Sequence, residues 1–354
     1  MSIYIRSSAC LSPQKTFNTD EFLEEPVEYT GTRLRVIEPD YKQYIDPKLL
    51  RRMGLSVKRG IAAAKECLGK ANVDMPGAII TGTAFGCTED TVTFLTNVIE
   101  MEEKMLPPTA FIQSTHNTVA AQVALTLGCH EYNYTYVHKG ISFESALFDA
   151  ILLLKEEEAE NILVAGIEEL IDTTFKVLTR LGIYKRWPIS NLSVLDTVTN
   201  GTIGGEGSVF FLLTDKPCAD NLAELKGMKM FYKPGSIDES GQKIQDFLAE
   251  HSLQPDDIDL VITGRNGDTR NDAVYKGIIP QLFQKSSIAN YKHLCGEYST
   301  SSAFALWLAA NIIKKGEVPE VVFERKSSNN TPKKILVYNH YQNKYHSLML
   351  LSAV

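Results

Sequence analysis

One segment of the sequence has the strand–bend–helix pattern that commonly positions a catalytic nucleophile, but it carries no cysteine. Residues 133–154, NYTYVHKGISFESALFDAILLL, have the pattern of a β-branched and aromatic strand, a bend at Gly140 and a long apolar helix. A side chain held where a strand turns onto a helix N-terminus has its pKa lowered by the partial positive charge of the helix. Here Lys139 and Ile141 flank the glycine. Two other groups stand nearby, Ser142, which we expect to be a helix N-cap, and His138, and each is an alternative catalytic group.

Composition narrows the class of protein. The chain has 354 residues, of which 44% are hydrophobic and 22% charged, enough for one large domain or two ordinary ones. Its formal net charge of -7 argues against nucleic acid or an anionic membrane as a partner. No apolar run approaches the ~20 residues of a membrane span, and the N-terminus has no secretory pattern, so we expect a cytoplasmic protein. The six cysteines lack CxxC spacing and the seven histidines lack metal spacing. We therefore expect buried, reduced thiols, no metal and no cofactor.

Two pairs of segments repeat in the same order. GIAAAKECLGKANVDMPGAIITG and GQKIQDFLAEHSLQPDDIDLVITG each give a helix, a turn and a buried strand. Further on, TYVHKGISFESALFDAILLL and ANYKHLCGEYSTSSAFALWLAA each give a strand, a bend and a helix with a serine near its start. The pattern predicts an α/β fold built by duplication, with halves at 1–225 and 226–354 that form one compact unit.

Several motifs resemble those of the β-ketoacyl synthases (ketosynthases) of the thiolase superfamily. The matching runs are DPKLLRRMGLSVKRGIAAAKECL, FIQSTHNTVAAQVALTLGC, ILVAGIEEL, VLDTVTNGTIGGEGSVFFLL and KHLCGEYSTSSA. The resemblance covers most of the chain and implies the thiolase fold, in which two pseudo-twofold related halves form a layered αβαβα sandwich. It also implies an acyltransferase family that condenses carrier-bound thioesters with a cysteine and two histidines.

The residues that do this chemistry in the family are absent here. An ungapped match places Gly140 at the cysteine, and a shift of one or two residues offers only His138, Lys139, Ile141 or Ser142. The two histidine positions are Asn266, in GRNGDTRND, and Glu297, in CGEYS. Lys292 and Glu206 match retained family residues. The family's glycine-rich loop near the C-terminus corresponds to YNHYQNKYHSLMLL, which has no glycine.

The absence of all these groups implies a family member that does not catalyse the condensation of acyl thioesters by itself. A carboxylate at 297 repels a developing enolate oxygen, and we expect it to pair with Lys292 instead. We expect the glycine at 140 to leave room or to avoid a group that could be acylated wrongly. The resemblance therefore points to a degenerate member, similar to the chain length factors of polyketide, aryl-polyene and flexirubin-type pathways, which pair with an active ketosynthase.

The resemblance also implies partners. These are a ketosynthase homologue or a second copy of the chain, an acyl carrier protein, and an acyl chain in an internal cavity. Dimerisation is expected through the strand at 133–137, and the cavity floor at 94–113. Carrier docking is considered at the basic runs Arg51–Arg52, Lys58–Arg59 and Lys185–Arg186.

Two other functions stay open. One is a 3-oxoacyl carrier-protein synthase-like acyltransferase, hydrolase or decarboxylase with a non-cysteine active site at His138 or Ser142. The other is a homodimer that uses the fold only to bind an acyl or polyketide ligand. Whether the chain is an enzyme is therefore not decided by its sequence.

Overall fold

Strands and helices alternate along most of the chain, as the sequence predicts. A computed structural model describes residues 2–327 and 331–354. Its strands are β1 (Ile3–Leu11), β2 (Thr30–Gly31), β3 (Ala78–Gly82), β4 (Tyr132–Tyr136), β5 (Asn161–Glu168), β6 (Ile189–Ser190), β7 (Gly207–Thr214), β8 (Ala223–Tyr232), β9 (Leu260–Thr263), β10 (Ser287–Asn290), β11 (Phe323–Arg325), β12 (Lys334–Tyr341) and β13 (Tyr345–Ser352). Its helices are α1 (Pro47–Leu50), α2 (Leu55–Ala71), α3 (Thr88–Glu100), α4 (Pro108–Gln113), α5 (Thr118–Leu127), α6 (Ser142–Lys155), α7 (Asp172–Arg180), α8 (Ile237–Glu250), α9 (Thr269–Leu282), α10 (Lys292–Cys295) and α11 (Ser302–Lys315).

The strand order shows the duplication. Within the described residues, a mixed 11-stranded sheet has the order β11-β10-β9-β12-β13-β8-β1-β7-β5-β3-β4. The first half contributes β4-β3-β5-β7-β1 and the second contributes β10-β9-β12-β13-β8, so both follow the same order when strands are counted within each half. Parallel and antiparallel pairs also correspond: β3 and β9 each have two parallel neighbours, and β7 and β13 each pair antiparallel on both sides. Antiparallel pairing of β1 with β8 joins the halves.

Side-chain alternation along the strands separates the apolar core into layers. Ile80 of β3 faces an inner core with α6 and α11, to which Phe143 and Phe304 contribute. Its neighbour Ile79 faces an outer core that includes residues of α2 and α5. On the second half, α8 and α9 cover the other face of β9, β12 and β13. Helix, sheet, helix, sheet and helix layers therefore follow one another, which confirms the αβαβα arrangement predicted from the sequence.

Other sequence-based expectations concern thiols, metals and membranes. The cysteines are unpaired; Cys218 is half-buried and the other five are buried, as expected of small apolar residues. In the described part of the chain, no group of three or more His, Cys, Asp or Glu side chains is arranged to hold a metal ion. No helix there combines the length and apolarity needed to cross a bilayer. The expected division at residue 225 falls inside β8 and stays a prediction.

Candidate functional site

The bend between β4 and α6 is closed by an aromatic side chain. A short 3-10 turn, Lys139–Ile141, links the two elements, and Lys139 adopts a left-handed backbone with φ of 50°. Gly140 is buried against Tyr341: a Cβ atom at position 140 would lie 2.3 Å from Tyr341 Cβ. Real Cβ atoms do not approach so closely, so this position admits glycine only while Tyr341 stays in place. The expectation that the glycine leaves room is therefore wrong, because Tyr341 occupies that space.

Tyr341 is positioned by the β12–β13 hairpin, the segment expected from the sequence to correspond to the family's glycine-rich loop. It ends β12 and pairs with Tyr345 of β13. Between them, Gln342 and Asn343 have φ of 54° and 52°, and Lys344 N donates to Tyr341 O at 3.1 Å. A tight turn thus forms without glycine, and it holds the tyrosine over the bend. The space left beside Tyr341, lined also by Phe85, Glu168, Tyr184 and Tyr298, has a volume of only about 10 Å³, which is room for about one water molecule.

The two expected histidine positions join a buried ion pair. Lys292 Nζ lies 2.8 Å and 3.0 Å from the two carboxylate oxygens of Glu297, which confirms the predicted pairing. Asn266 Nδ2 donates to Glu297 Oε2 at 2.5 Å. All three side chains are buried. The carboxylate is therefore satisfied by a cation and an amide, and the group that would repel an enolate is neutralised inside the fold.

Glycines bring the loop of Glu297 against the GGEG segment. Gly296 has φ of 76°, and Gly205 N donates to Glu297 O at 3.1 Å. A Cβ atom at Gly205 would lie 2.0 Å from Cys295 O, so the close approach requires glycine there.

Glu206, the other retained residue, belongs to a separate buried pair. It accepts from Arg59 Nη2 at 2.9 Å, from Val36 N at 3.2 Å and from Leu170 N at 3.1 Å. Burial alone would raise the pKa of Glu206, but Arg59 and these hydrogen bonds lower it below its ordinary value. Its contacts are those of a structural carboxylate that ties three segments together.

Among the described residues, the hydrogen bonds of the two alternative nucleophiles, Ser142 and His138, do not involve the Lys292–Glu297–Asn266 cluster. Ser142 is buried, and its hydroxyl accepts from His138 N and donates to Lys139 O, both at 2.8 Å. It is the first residue of α6 and makes no N-cap hydrogen bond, so the expected capping role is corrected to bracing the bend. His138 is exposed, with Nδ1 3.5 Å from Ser145 Oγ and its ring beside Tyr345. Its side chain therefore has no hydrogen bond to the Ser142 hydroxyl.

Sequence reasoning missed Tyr341 and Glu168. Glu168 ends β5 in the motif ILVAGIEEL, and its Oε1 accepts from Thr83 Oγ1 at 2.9 Å and from Ala84 N. Burial raises the pKa of Glu168 to about 7, although these hydrogen bonds oppose the rise. The missing glycines near the C-terminus are the signal that could have pointed to Tyr341, since a large residue there has to fill the space that glycines leave.

Two of the three basic runs considered for docking are not fully exposed. Arg59 is buried between Glu38 and Glu206. Lys185 is buried too, with Nζ 2.9 Å from Thr199 Oγ1 and 3.3 Å from Gly267 O, and burial lowers its pKa. Only Lys58, Arg186 and the pair Arg51–Arg52 remain exposed or partly exposed. Charge runs in a sequence do not reveal which members carry an internal ion pair.

The layered fold is that of the ketosynthases to which this chain is similar. Residues 37–202 match the family described as beta-ketoacyl synthase, N-terminal domain. The chain is thus ketosynthase-like. No curated protein sequence matches it.

Solved structures show the same fold at low sequence identity. The ishigamide ketosynthase/chain length factor aligns with a TM-score of 0.83 at 16% identity, and a beta-ketoacyl synthase from Burkholderia phymatum STM815 with 0.81 at 14%. A third structure, AntDE:AntF, described as a type II PKS acyl-carrier protein in complex with its ketosynthase bound to the hexaketide, aligns with 0.75 at 16%. Each comparison covers 100% of this chain and 99% of the other.

Proposed function

We propose that this chain is a non-condensing subunit of carrier-protein-dependent fatty-acid or polyketide-type chain elongation. It pairs with an active ketosynthase and acts as a chain length factor does. The observation that carries the proposal is the contact of Tyr341 with Gly140, which leaves no place for an acylated side chain. Condensation also needs donors for the enolate oxygen. Where the resemblance places these donors, the Lys292–Glu297–Asn266 cluster instead presents the carboxylate of Glu297.

An exposed edge of the sheet supports a partner subunit. β4 is the last strand of the sheet, and the side chains of Tyr132 and Tyr134 are 44% and 50% exposed. Their rings stack with centroids 6.2 Å apart. An unpaired edge with aromatic side chains is a ready site for pairing with another strand.

The connection between α3 and α4, together with α4 itself, adds exposed apolar surface that supports a partner. Met101, Met105 and Phe111 are all exposed. Exposed apolar side chains of this size are common at interfaces and ligand grooves. The first of the similar structures, whose name joins a ketosynthase with a chain length factor, is consistent with pairing to a homologue rather than to a second copy.

Co-expression with candidate ketosynthases that carry the cysteine and both histidines tests the proposal. We expect a heterodimer by light scattering after gel filtration, and a product chain length that depends on this subunit. The double variant Tyr132→Lys/Tyr134→Lys should remain folded but lose the partner, whereas Tyr232→Lys, an exposed tyrosine at the end of β8, should keep it. Elongation of an acyl group by the isolated chain would contradict the proposal.

A second candidate is an acyltransferase or decarboxylase with a non-cysteine site. The observation in its favour is Glu168, a buried carboxyl with a pKa of about 7 beside the small space under Tyr341. Such a group is suited to acid–base catalysis near neutral pH. Intact mass spectrometry after incubation with an acyl-carrier thioester separates the two functions, because acylation of His138 or Ser142 would favour this candidate.

A further inference from the structure

A small pocket in the second half of the chain is separate from the closed site. We call it the β8–β13 pocket; it is lined by Lys226, His251, Leu253, Lys334, Leu350 and Leu351. None of these residues lines the space beside Tyr341. The volume of the pocket is about 220 Å³, below the roughly 300–1,000 Å³ of sites for drug-sized ligands, so its size suits a smaller molecule.

A break in the strand register brings one cation to this pocket. Leu350 of β13 pairs with Gly227, whereas Leu351 pairs with Leu225, so Lys226 is an extra residue on β8. A bulge of this kind bends its strand and changes the direction of a side chain. Lys226 therefore lines the pocket together with the apolar side chains of Leu350 and Leu351, which are otherwise buried.

The end of α8 supplies another wall of the pocket. Ser252 has a left-handed backbone with φ of 58°, and its N–H donates to Ala249 O at 2.9 Å. Leu253 N donates to Leu248 O, also at 2.9 Å. These two bonds form the Schellman motif that ends many helices, and here it turns Leu253 back into the pocket lining.

The imidazole of His251 is held in place by packing. Its ring lies edge-on to Phe247 with centroids 4.9 Å apart, and a Cβ atom at Gly227 would overlap it, so glycine lets the ring lie against β8. Among the described residues, neither ring nitrogen has a hydrogen-bond partner. Burial lowers the pKa of His251, although the charge of Glu250 opposes this, so the neutral ring offers one N–H donor at pH 7. Glu250 itself is paired with Lys229 at 2.5 Å.

The charged side chains that line the pocket are both lysines. Lys226 Nζ lies 2.6 Å from Glu224 Oε2, and since an ammonium has three N–H donors, this ion pair leaves it able to bind a second acceptor. Within the described part of the chain, no carboxylate forms an ion pair with Lys334 Nζ. The carboxylate of Asp259 accepts instead from the backbone N–H of Lys334 at 2.9 Å. The pocket therefore combines cationic donors with an apolar surface, which is the combination that an amphipathic anion needs.

We propose that the β8–β13 pocket binds an organic carboxylate with a short apolar body, such as a medium-chain fatty acid. The carboxylate accepts charge-assisted hydrogen bonds from Lys226 and Lys334 and a further bond from the His251 ring. The alkyl chain covers Leu253 and Leu350, which removes apolar surface from water. This site uses none of the residues on which the proposed function depends, so the two stand or fall separately.

Titration of the full chain with octanoate, followed by calorimetry and by proton NMR of the histidine rings, tests the inference. We expect a dissociation constant below about 1 mM, and binding about tenfold weaker for octanamide, which has the same length but no charge. The ring resonance of His251, assigned with His251→Gln, should shift on binding. Its pKa should rise in the complex, because a bound anion favours the charged imidazole.

Variants locate the ligand. Lys226→Gln/Lys334→Gln should weaken octanoate binding by about tenfold and leave octanamide binding nearly unchanged. The matched variant Lys15→Gln/Lys155→Gln, which neutralises two exposed lysines elsewhere, should bind like the parent. Leu253→Trp should fill the pocket and abolish binding of both compounds.

Absence of octanoate binding by the parent chain would overturn the inference, as would equal affinity for octanamide, which would mean an apolar patch with no recognition of charge. Binding that survives Leu253→Trp, or that leaves the His251 resonance unmoved, would place the ligand elsewhere and would also overturn it. Circular dichroism and a thermal melt of each variant exclude unfolding as the cause of a loss. Heterodimer formation with a ketosynthase is measured separately, and its failure would remove the proposed function without affecting this site.

Discussion

At the residue scale, burial makes the charges of Lys292 and Glu297 depend on each other. An exposed pair contributes little, since water solvates each charge separately. Here the lysine and glutamate side chains are only 1% and 6% exposed, so each charge depends on the other. Asn266 donates a further hydrogen bond to the same carboxylate. Lys292 and Glu297 thus neutralise each other while Asn266 is hydrogen-bonded to the carboxylate, and we expect substitution of any one of the three to affect folding first.

Glu297→Gln is expected to lower the free energy of unfolding by about 3–5 kcal/mol, because it leaves the buried ammonium of Lys292 without a counter-charge. Urea denaturation monitored by circular dichroism measures the loss. The double variant Lys292→Met/Glu297→Leu removes both charges and should recover much of the stability. A double variant as unstable as Glu297→Gln would show that the ion pair is not the cause.

Gly140→Cys tests whether the bend can accommodate a cysteine side chain. We expect it to destabilise the chain by about 1–3 kcal/mol, because the new Cβ overlaps Tyr341 Cβ and overpacking has costs of this size. Adding Tyr341→Ala should relieve the overlap, so the two substitutions should show favourable coupling in a double-mutant cycle.

Gly69→Ala is the matched control for the bend. This glycine of α2 has open space around the position of a Cβ, so alanine should be neutral or stabilising there. Equal destabilisation of Gly140→Cys with and without Tyr341→Ala would contradict the steric explanation.

At the element scale, the hairpin of β12 and β13 depends on neutral histidines. His340 Nε2 contacts Asn271 O at 3.0 Å and Nδ1 accepts from Asn343 N at 3.2 Å, which is the pattern of an uncharged ring. His346 packs on Phe231 and on His340, with Nδ1 3.0 Å from Tyr338 Oη. Burial lowers the pKa of His346 from 6.5 to about 4 and the pKa of His340 well below its ordinary value. The hairpin that presents Tyr341 is therefore sensitive to acid.

The sign of this pH effect follows from linkage. A histidine whose pKa is lower in the folded state binds its proton more readily when unfolded, so stability falls as pH drops through 6.5 towards 4. For His346 alone the loss between pH 7.5 and 5.5 is about 1.4 kcal/mol. Glu168, with a raised pKa, acts in the opposite direction in this range.

Comparison with His346→Phe isolates the histidine, because Glu168 contributes equally to both proteins. We expect the phenylalanine variant to lose less stability on acidification, by about the 1.4 kcal/mol estimated for the histidine. Urea unfolding at several pH values measures the difference. Parallel pH profiles for the two proteins would contradict the prediction.

For the whole molecule, the two halves share one interior. The inner core contains Phe143 and Ala146 of α6 together with Ala303 and Phe304 of α11. β1 of the first half pairs with β8, whose remaining length pairs with β13 of the second half. A division at residue 225 therefore cuts a strand that both halves use, and each half would expose an apolar face.

Fragments 1–225 and 226–354 are expected not to fold separately. Each should lack a cooperative urea transition and bind a hydrophobic dye, since the inner core needs α6 and α11 together. The intact chain should unfold in one transition. An independently folded fragment with a cooperative transition would instead support two autonomous domains.

Sequence alone determined the periodic and local features of this protein. Alternating helices and buried strands such as AIITG predicted the duplicated layers, and the motif around Lys292 and Glu297 predicted their ion pair, because residues five apart across a tight turn stay close whatever the rest of the fold does. Tertiary structure decided what lies far apart in sequence. Tyr341 meets Gly140 across about two hundred residues, and Arg59 meets Glu206 only when the sheet is assembled. No local pattern encodes such contacts, because they depend on which strands become neighbours.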